Sequence, residues 1–438
     1  MSEFLAELFK VLEALQVRYC VLHSWQELPE RLPSDLDIVV APKDFARLER
    51  TLLHADGARL VQVLRYEWSS WGFVLAVQEG GHVRFVPVDV ATDYRWGRRI
   101  WFHAEELLDG RRPWNGFWVA SPEVEFQYLL VKKILKGAFP ERSRERLREL
   151  AEGLGQKAMS IAARLLGRQW GAQVLTWIRS GQWKALEGNL RTLKRVLKGQ
   201  RVRQDPLNPI RYWVPELRRI WQRWWYPTGL VVAVLGPDGA GKSALIERLE
   251  REMLGAFKRA TALHLMPSLL RRKGSRGPVT DPHGKLPRGC VPSLMKLIYW
   301  WVAYWVGWFA DVYPVKVRST LVLFDRYYDD LLADPKRYRY GGPMWLARLV
   351  GRFIPKPDLF FFLDLPAEVA HARKPEVSLE EAKRLREHYL KLALSVPNAH
   401  VVDASRPLEE VVAEVEEIIL RYLAARTEKY IRRLGLLG

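Results

Sequence analysis

Residues 231–243 read VVAVLGPDGAGKS, and within them Gly236, Gly241, Lys242 and Ser243 fall at the spacing G-x-x-x-x-G-K-S. That spacing suits a polyphosphate. Glycines let backbone N–H groups turn toward the anion, the helix start that follows adds partial positive charge, and the lysine reaches the β- and γ-phosphates. Ser243 would complete a Mg2+ shell. Asp238, Gly239 and Ala244 belong to the same turn, so these residues form the expected nucleotide-binding set, with ATP and Mg2+ as cofactors. Farther along, Asp325 ends an apolar strand and Arg326 follows it. A carboxylate and a guanidinium so placed give a metal ligand and a phosphate clamp beside the loop.

The elements that must position these groups alternate. From about 229 onward, LVVAVLG, STLVLFD, DLFFFLD and NAHVVDA are separated by the helical stretches KSALIERLEREML, LEEAKRLREHYLKLAL and LEEVVAEVEEIILRYLAA. This pattern predicts α/β architecture, a parallel sheet with crossover helices. GPDGAGKS, FDRYYDD at 324–330, PDLFFFLDLPAEVAHARK at 357–374 and VVDAS at 401–405 resemble thymidylate kinases. The resemblance covers roughly 229–425. It implies that Lys242, Asp325 and Arg326 are catalytic, with Asp325 orienting metal or acceptor, Arg326 holding the acceptor phosphate, and Asp238 helping to place the acceptor. The loop carries Ala240 and no arginine, which resembles members whose lid supplies the transition-state arginine. Arg373, with Lys374 beside it, matches that position. Asp364 also ends a strand, and Asp403 is expected to shape a turn near the adenine.

The acceptor side departs from that family. HLMPSLLRRKGSRGPVTDPHGKLPRG lies between the loop and Asp325, and PKRYRYGGP lies at 335–343. Both are basic and occupy the places where an acceptor is read, which makes His264, Asp281, His283, Arg337 and Arg339 acceptor candidates. The DPHG and YRYGGP pieces, with the amino-terminal region described next, resemble kinase-like chains that accompany bacterial surface-polysaccharide gene sets. The expected acceptor is therefore dTMP or another phosphorylated or saccharide compound.

A second set of carboxylates lies near the start. Asp35 and Asp37 alternate in SDLDIVV, and Asp89 sits in FVPVDVA. A period of two puts the first pair on one strand face, as chelation of a divalent ion needs. These residues resemble the nucleotidyltransferase fold, in which such a trio binds Mg2+. Ser24 falls where that family's triphosphate turn is expected, and His23 stands in place of its glycine.

The whole chain has 438 residues, more than one hydrophobic core usually serves. The expected segments are an α/β nucleotidyltransferase-like domain at 1–120, a helical basic segment at 121–204, an amphipathic Trp/Arg-rich linker helix at 205–228 and a P-loop domain at 229–438. GQRVRQDPLNP at 199–209 has linker composition. Composition, 48% hydrophobic and 27% charged, excludes a disordered chain. Cys20 and Cys290 are too few for a disulfide framework, and the first residues lack a signal-peptide pattern, so a cytoplasmic site is expected.

The formal charge of +19 calls for anionic partners. Residues 191–223 hold ten basic side chains against Asp205 and Glu216. At 213–225, Trp213, Leu217, Ile220, Trp221 and Trp224 share one helical face, opposed by Arg211, Arg218, Arg219 and Arg223. Such a helix lies on an anionic membrane or packs its tryptophans on the neighbouring domain. Residues 297–310 are apolar but span only about 21 Å as a helix, against the ~30 Å of a bilayer core, which predicts a buried or dimer-interface helix. Two rival readings stand beside the kinase: an enzyme that processes nucleic-acid ends, and a non-catalytic nucleotide-binding scaffold on a membrane.

Overall fold

A computed structural model describes residues 2–30, 32, 36–267, 286–373 and 377–434. Two units divide it, Met1–Gln222 with Arg426–Gly438, and Arg223–Ala425. The expected segments 1–120 and 121–204 thus fall into one unit.

Among the described residues, nine strands belong to the first unit: β1 Tyr19–Val21, β2 Leu36–Val40, β3 Ala58–Glu67, β4 Ser70–Glu79, β5 His82–Ala91, β6 Asp93–Arg95, β7 Ile100–His103, β8 Arg112–Trp114 and β9 Phe117–Val119. Seven form a mixed sheet in the order β3-β4-β5-β2-β1-β9-β8, while β6 and β7 pair as a hairpin. Period-two alternation gives that sheet two cores. Leu36, Ile38 and Val40 face the helix Ser2–Ala14 through Leu5, Leu8 and Leu12, whereas Val39 and Ala41 face Phe126, Leu130 and Ile134 of the helix Pro122–Lys136. That second helix begins at Ser121, whose hydroxyl accepts from the Val124 N–H, continues with Pro122 in its first turn, and stops at Gly137 in the left-handed region. The helices up to Leu190–Gln204 extend the same core through Leu147, Ile161, Leu175 and Leu197, which is why no boundary falls near 120.

The linker expected at 199–209 is largely helical, because helix Leu190–Gln204 runs into it and helix Asn208–Trp225 starts within it. Asn208 and Arg201 of that stretch bond within the unit, while Arg203 and Gln204 stay exposed. Asn208 is buried; its amide accepts from the Ile100 N–H at 3.0 Å and donates to the Ile100 carbonyl at 2.9 Å, where Arg201 also donates at 3.0 Å.

The second unit holds β10 Leu230–Leu235, β11 Arg259–His264, β12 Thr320–Asp325, β13 Leu359–Asp364 and β14 Ala399–Asp403, all parallel, in the order β11-β12-β10-β13-β14. Central β10 is buried at every position. Strand order reverses there, so the crevice for a ligand opens at its carboxyl end. The expected buried or dimer-interface segment is the helix Cys290–Gly307, which is buried on one side only: Leu297, Trp300, Ala303 and Tyr304 are buried, but Ile298, and Phe309 just after the helix, are 64% and 63% exposed. No described helix is long and apolar enough to cross a membrane.

Candidate active site

The loop after β10 is shaped by glycines at positions that need them. Gly236, Gly239 and Gly241 have φ of 147°, 83° and 85°, and a Cβ on Gly236 would meet the Leu363 carbonyl oxygen at 2.9 Å. Helix Lys242–Glu252 starts at once, leaving its first N–H groups directed at the loop, and Ser243 and Ala244 are exposed in that first turn. Lys242 is buried, and its ammonium donates to the carbonyls of Gly236 at 2.9 Å and Pro237 at 2.7 Å. Burial, reinforced by the Arg326 charge, brings its pKa down to about 7 against the pull of Asp238.

β12 delivers Asp325 and Arg326 to the same edge. Arg326 has a φ of 70°, a conformation costing a non-glycine residue about 1–2 kcal/mol, and its N–H donates to the Val234 carbonyl at 3.0 Å. One guanidinium nitrogen donates to Asp330 at 2.7 Å and another to Asp238. Arg337 also donates to Asp238, so one carboxylate holds two guanidinium groups. Asp330 is fully buried and accepts in addition from the hydroxyls of Tyr338 at 2.6 Å and Tyr389 at 2.7 Å. A small cleft between Asp238, Arg326, Arg337, His371 and Tyr389 opens beside this network.

Asp325 and His264 are register partners on β12 and β11, and the imidazole Nδ1 lies 3.3 Å from Asp325 Oδ2. Burial alone would raise the Asp325 pKa; the His264 hydrogen bond and the Lys242 charge outweigh it and hold the carboxyl below its usual range. Oδ1 of Asp325 is buried with no hydrogen-bond partner. An orphaned carboxylate oxygen within electrostatic reach of Lys242, the residue before the exposed Ser243, suits a hard, oxygen-seeking ion such as Mg2+. Arg373 reaches the loop, its guanidinium donating to the Gly239 carbonyl at 3.4 Å.

Other expected residues lie elsewhere. Arg339 does not join Arg337; its Nε donates to the Leu286 carbonyl at 3.1 Å. Asp364 is held by Arg386 through two bonds of 2.6 and 2.8 Å, and Asp403 accepts from the N–H and hydroxyl of Ser405, shaping its own turn. Asp281, His283 and Lys374 lie outside the described residues. Reading by motif missed Asp330, Tyr338 and Tyr389. Asp330 closes FDRYYDD four residues after Arg326, the spacing at which side chains meet across a helical turn, and this was the available signal.

In the first unit, Asp37 and Asp89 are register partners on the parallel neighbours β2 and β5. Asp35 lies outside the described residues. His23 Nε2 is 2.9 Å from Asp37 and 2.7 Å from the Lys132 ammonium, which is itself 3.8 Å from Asp37. Burial would raise the Asp37 pKa, but these partners keep it far below the normal range. Ser24, at a φ of 58°, contacts His23 Nδ1 at 2.9 Å. A divalent ion at Asp37 would have to compete with Lys132, so the donors suit a metal only after that ammonium moves. Among the described residues, no three His, Cys, Asp or Glu side chains are grouped to hold a metal.

Residues 309–415 match the family model Thymidylate kinase. A probable thymidylate kinase 1 of Saccharolobus solfataricus is 29% identical over 210 residues, covering 44% of this chain and 98% of that protein. A thymidylate kinase of Xanthomonas euvesicatoria is 27% identical over 224 residues, covering 46% and 87% respectively. The crystal structure of thymidylate kinase from Ehrlichia chaffeensis aligns with a TM-score of 0.32 at 17% identity, over 44% of this chain and all of that one. Rather less than half of the chain is therefore a thymidylate kinase-like domain.

Proposed function

We propose that the second unit is a phosphotransferase that moves the γ-phosphoryl group of ATP onto the phosphate of a phosphorylated acceptor, dTMP or a compound carrying a comparable phosphate. The observation behind this reading is the pair of guanidinium groups, Arg326 and Arg337, held on Asp238 at the mouth of the phosphate loop. Guanidinium forks match phosphate oxygens. Arg326 is also anchored by Asp330, so it can exchange Asp238 for an anion without leaving its place.

In this scheme the loop amides and Lys242 bind the β- and γ-phosphates. An acceptor phosphate oxygen attacks the γ-phosphorus as the bond to the β,γ-bridging oxygen breaks, and ADP leaves. Transfer between two phosphates needs no strong base, so catalysis rests on position and charge. Ser243 and Asp325 would hold Mg2+, which supplies neutralisation of phosphate charge when bound. Arg326 and Arg337 orient the acceptor, while Arg373 stands at the loop to meet charge developing on the transferred group. The test is label transfer from γ-labelled ATP to nucleoside monophosphates and sugar phosphates. Absence of labelled product across that panel, from folded protein with Mg2+, would remove the reading.

For the first unit a second reading rests on Asp37 and Asp89 lying side by side on parallel strands. We propose that it is a nucleotidyltransferase-like domain, with these carboxylates as its metal-facing edge and Lys132 as a built-in competitor for the ion. Titrating the full chain with Mn2+ tests it; binding unaffected by Asp37→Asn and Asp89→Asn would locate the metal elsewhere.

A further inference from the structure

The helix Asn208–Trp225 presents its apolar side outward. Its buried positions are Asn208, Tyr212 and Glu216. Each polar group on that side is engaged within the first unit. Asn208 pairs with the Ile100 backbone. Glu216 accepts from the Trp68 N–H at 3.0 Å and from Arg219 at 2.6 Å. Arg219 donates to the Arg65 carbonyl at 3.0 Å, and the Arg65 side chain donates to Gln222 at 3.0 Å. Rolling the helix to hide its apolar side would break these bonds and strand their partners without hydrogen bonds, which is unfavourable for each stranded group.

The outward stripe runs through Ile210, Val214, Leu217 and Trp221, which are 62%, 67%, 60% and 65% exposed, with Leu207 before it and Trp224 after it at the same three- and four-residue steps. Exposed Arg203, Arg211 and Arg218 border it. The two acidic residues among 191–223 are already spoken for, Asp205 by Arg211 at 3.2 Å and Glu216 by Arg219. The apolar strip is thus edged by cations, and neither acidic side chain is left to answer them. A second copy on this face would set arginine against arginine. A surface of anionic headgroups over acyl chains complements both the strip and its edges.

We propose that this helix docks the protein on an anionic phospholipid bilayer, with Leu217 and Trp221 at the headgroup–acyl boundary and the arginines extended to the lipid phosphates. The proposal is independent of the kinase reading. It is tested by co-sedimentation of the full chain with vesicles of phosphatidylcholine alone and of phosphatidylcholine mixed with phosphatidylglycerol. The expected result is binding to the mixed vesicles, little to the neutral ones, and release at high salt. Leu217→Ser with Trp221→Ser should weaken that binding at least about tenfold, since binding scales with the apolar area inserted. Arg211→Gln with Arg218→Gln should weaken it about fivefold for each arginine, at unchanged melting temperature. If the serine variant fails to fold, the glutamine variant decides. Wild-type chain that ignores mixed vesicles, or variants that bind them as wild type does, would overturn the proposal. So would a serine variant that changes only the sedimentation mass, because the face would then join two copies of the chain.

Discussion

Asp238 in the second unit and Asp37 in the first each sit against nitrogen-bearing side chains from other elements, yet the two arrangements have different capacities. Asp238 faces Arg326 and Arg337, permanent cations with several donors each. Arg326 is fastened from behind by Asp330, which Tyr338 and Tyr389 hold in turn. The nitrogen on Asp238 can trade that carboxylate for a phosphate while the side chain stays put. Asp37 instead faces His23 and Lys132, one titratable ring and one point charge, with Lys132 over the Tyr128 ring at 5.1 Å. That set neutralises a carboxylate and stands in the way of a divalent ion. The lesson is that an anchored fork marks a place where anions are exchanged, whereas a shared ammonium marks one where charge is merely balanced.

The sharpest attack on the contrast is Lys242→Ala. Removing the ammonium that spans the phosphates should lower kcat by roughly 10³-fold and leave the circular-dichroism spectrum intact, because the side chain's hydrogen bonds and ion pair all stay within the loop. Asp325→Asn should cost roughly 10²-fold in kcat with ATP affinity little altered, as measured by turnover and equilibrium binding, since its orphaned oxygen is assigned to the metal. Arg337→Ala should raise the acceptor KM roughly tenfold at constant KM for ATP, whereas Arg339→Ala, whose arginine ends on Leu286, should leave both unchanged. Lys132→Ala should tighten Mn2+ binding in the first unit several-fold without moving the phosphotransfer rate; calorimetric titration beside a turnover assay reads both.

The smallest effect is one of pH. Lys242 is brought down to about 7, so above that pH much of it is neutral in the ligand-free protein. A bound polyphosphate favours the ammonium and lifts its pKa. ATP binding should therefore take up a fraction of a proton just above pH 7, and affinity should fall as pH rises through that window. Calorimetry in two buffers of different ionisation enthalpy checks this; identical heats would show that Lys242 is charged throughout.

Local signals made the second unit's loop legible. The glycine, lysine and serine spacing and the strand before it depend on a few adjacent residues, and each lies where that spacing implies. Asp330 with its tyrosines was not legible, since Tyr338 and Tyr389 come from separate segments and read as ordinary core aromatics until the fold brings their hydroxyls to one carboxylate. Arg337 and Arg339 look equivalent in the run KRYRY, but Arg339 takes a left-handed φ of 52° and leaves the cleft. For helix Asn208–Trp225, amphipathic spacing says that two faces differ and not which one meets the protein. Here the polar face does, because β7 and the backbone near Trp68 offer it hydrogen bonds. The linker expected beside it is largely helical for the same reason, with Arg201, Asp205 and Asn208 engaged within the first unit.

The central claim is that Arg326 and Arg337 read a phosphate on the acceptor. Its most direct measurement is transfer from γ-labelled ATP to matched acceptors with and without that phosphate: thymidine against dTMP, and other nucleosides and sugars against their monophosphates. Label is expected on phosphorylated members alone, lost with Lys242→Ala and weakened through KM with Arg337→Ala. Equal labelling of an unphosphorylated partner, or wild-type labelling by Lys242→Ala, would contradict it.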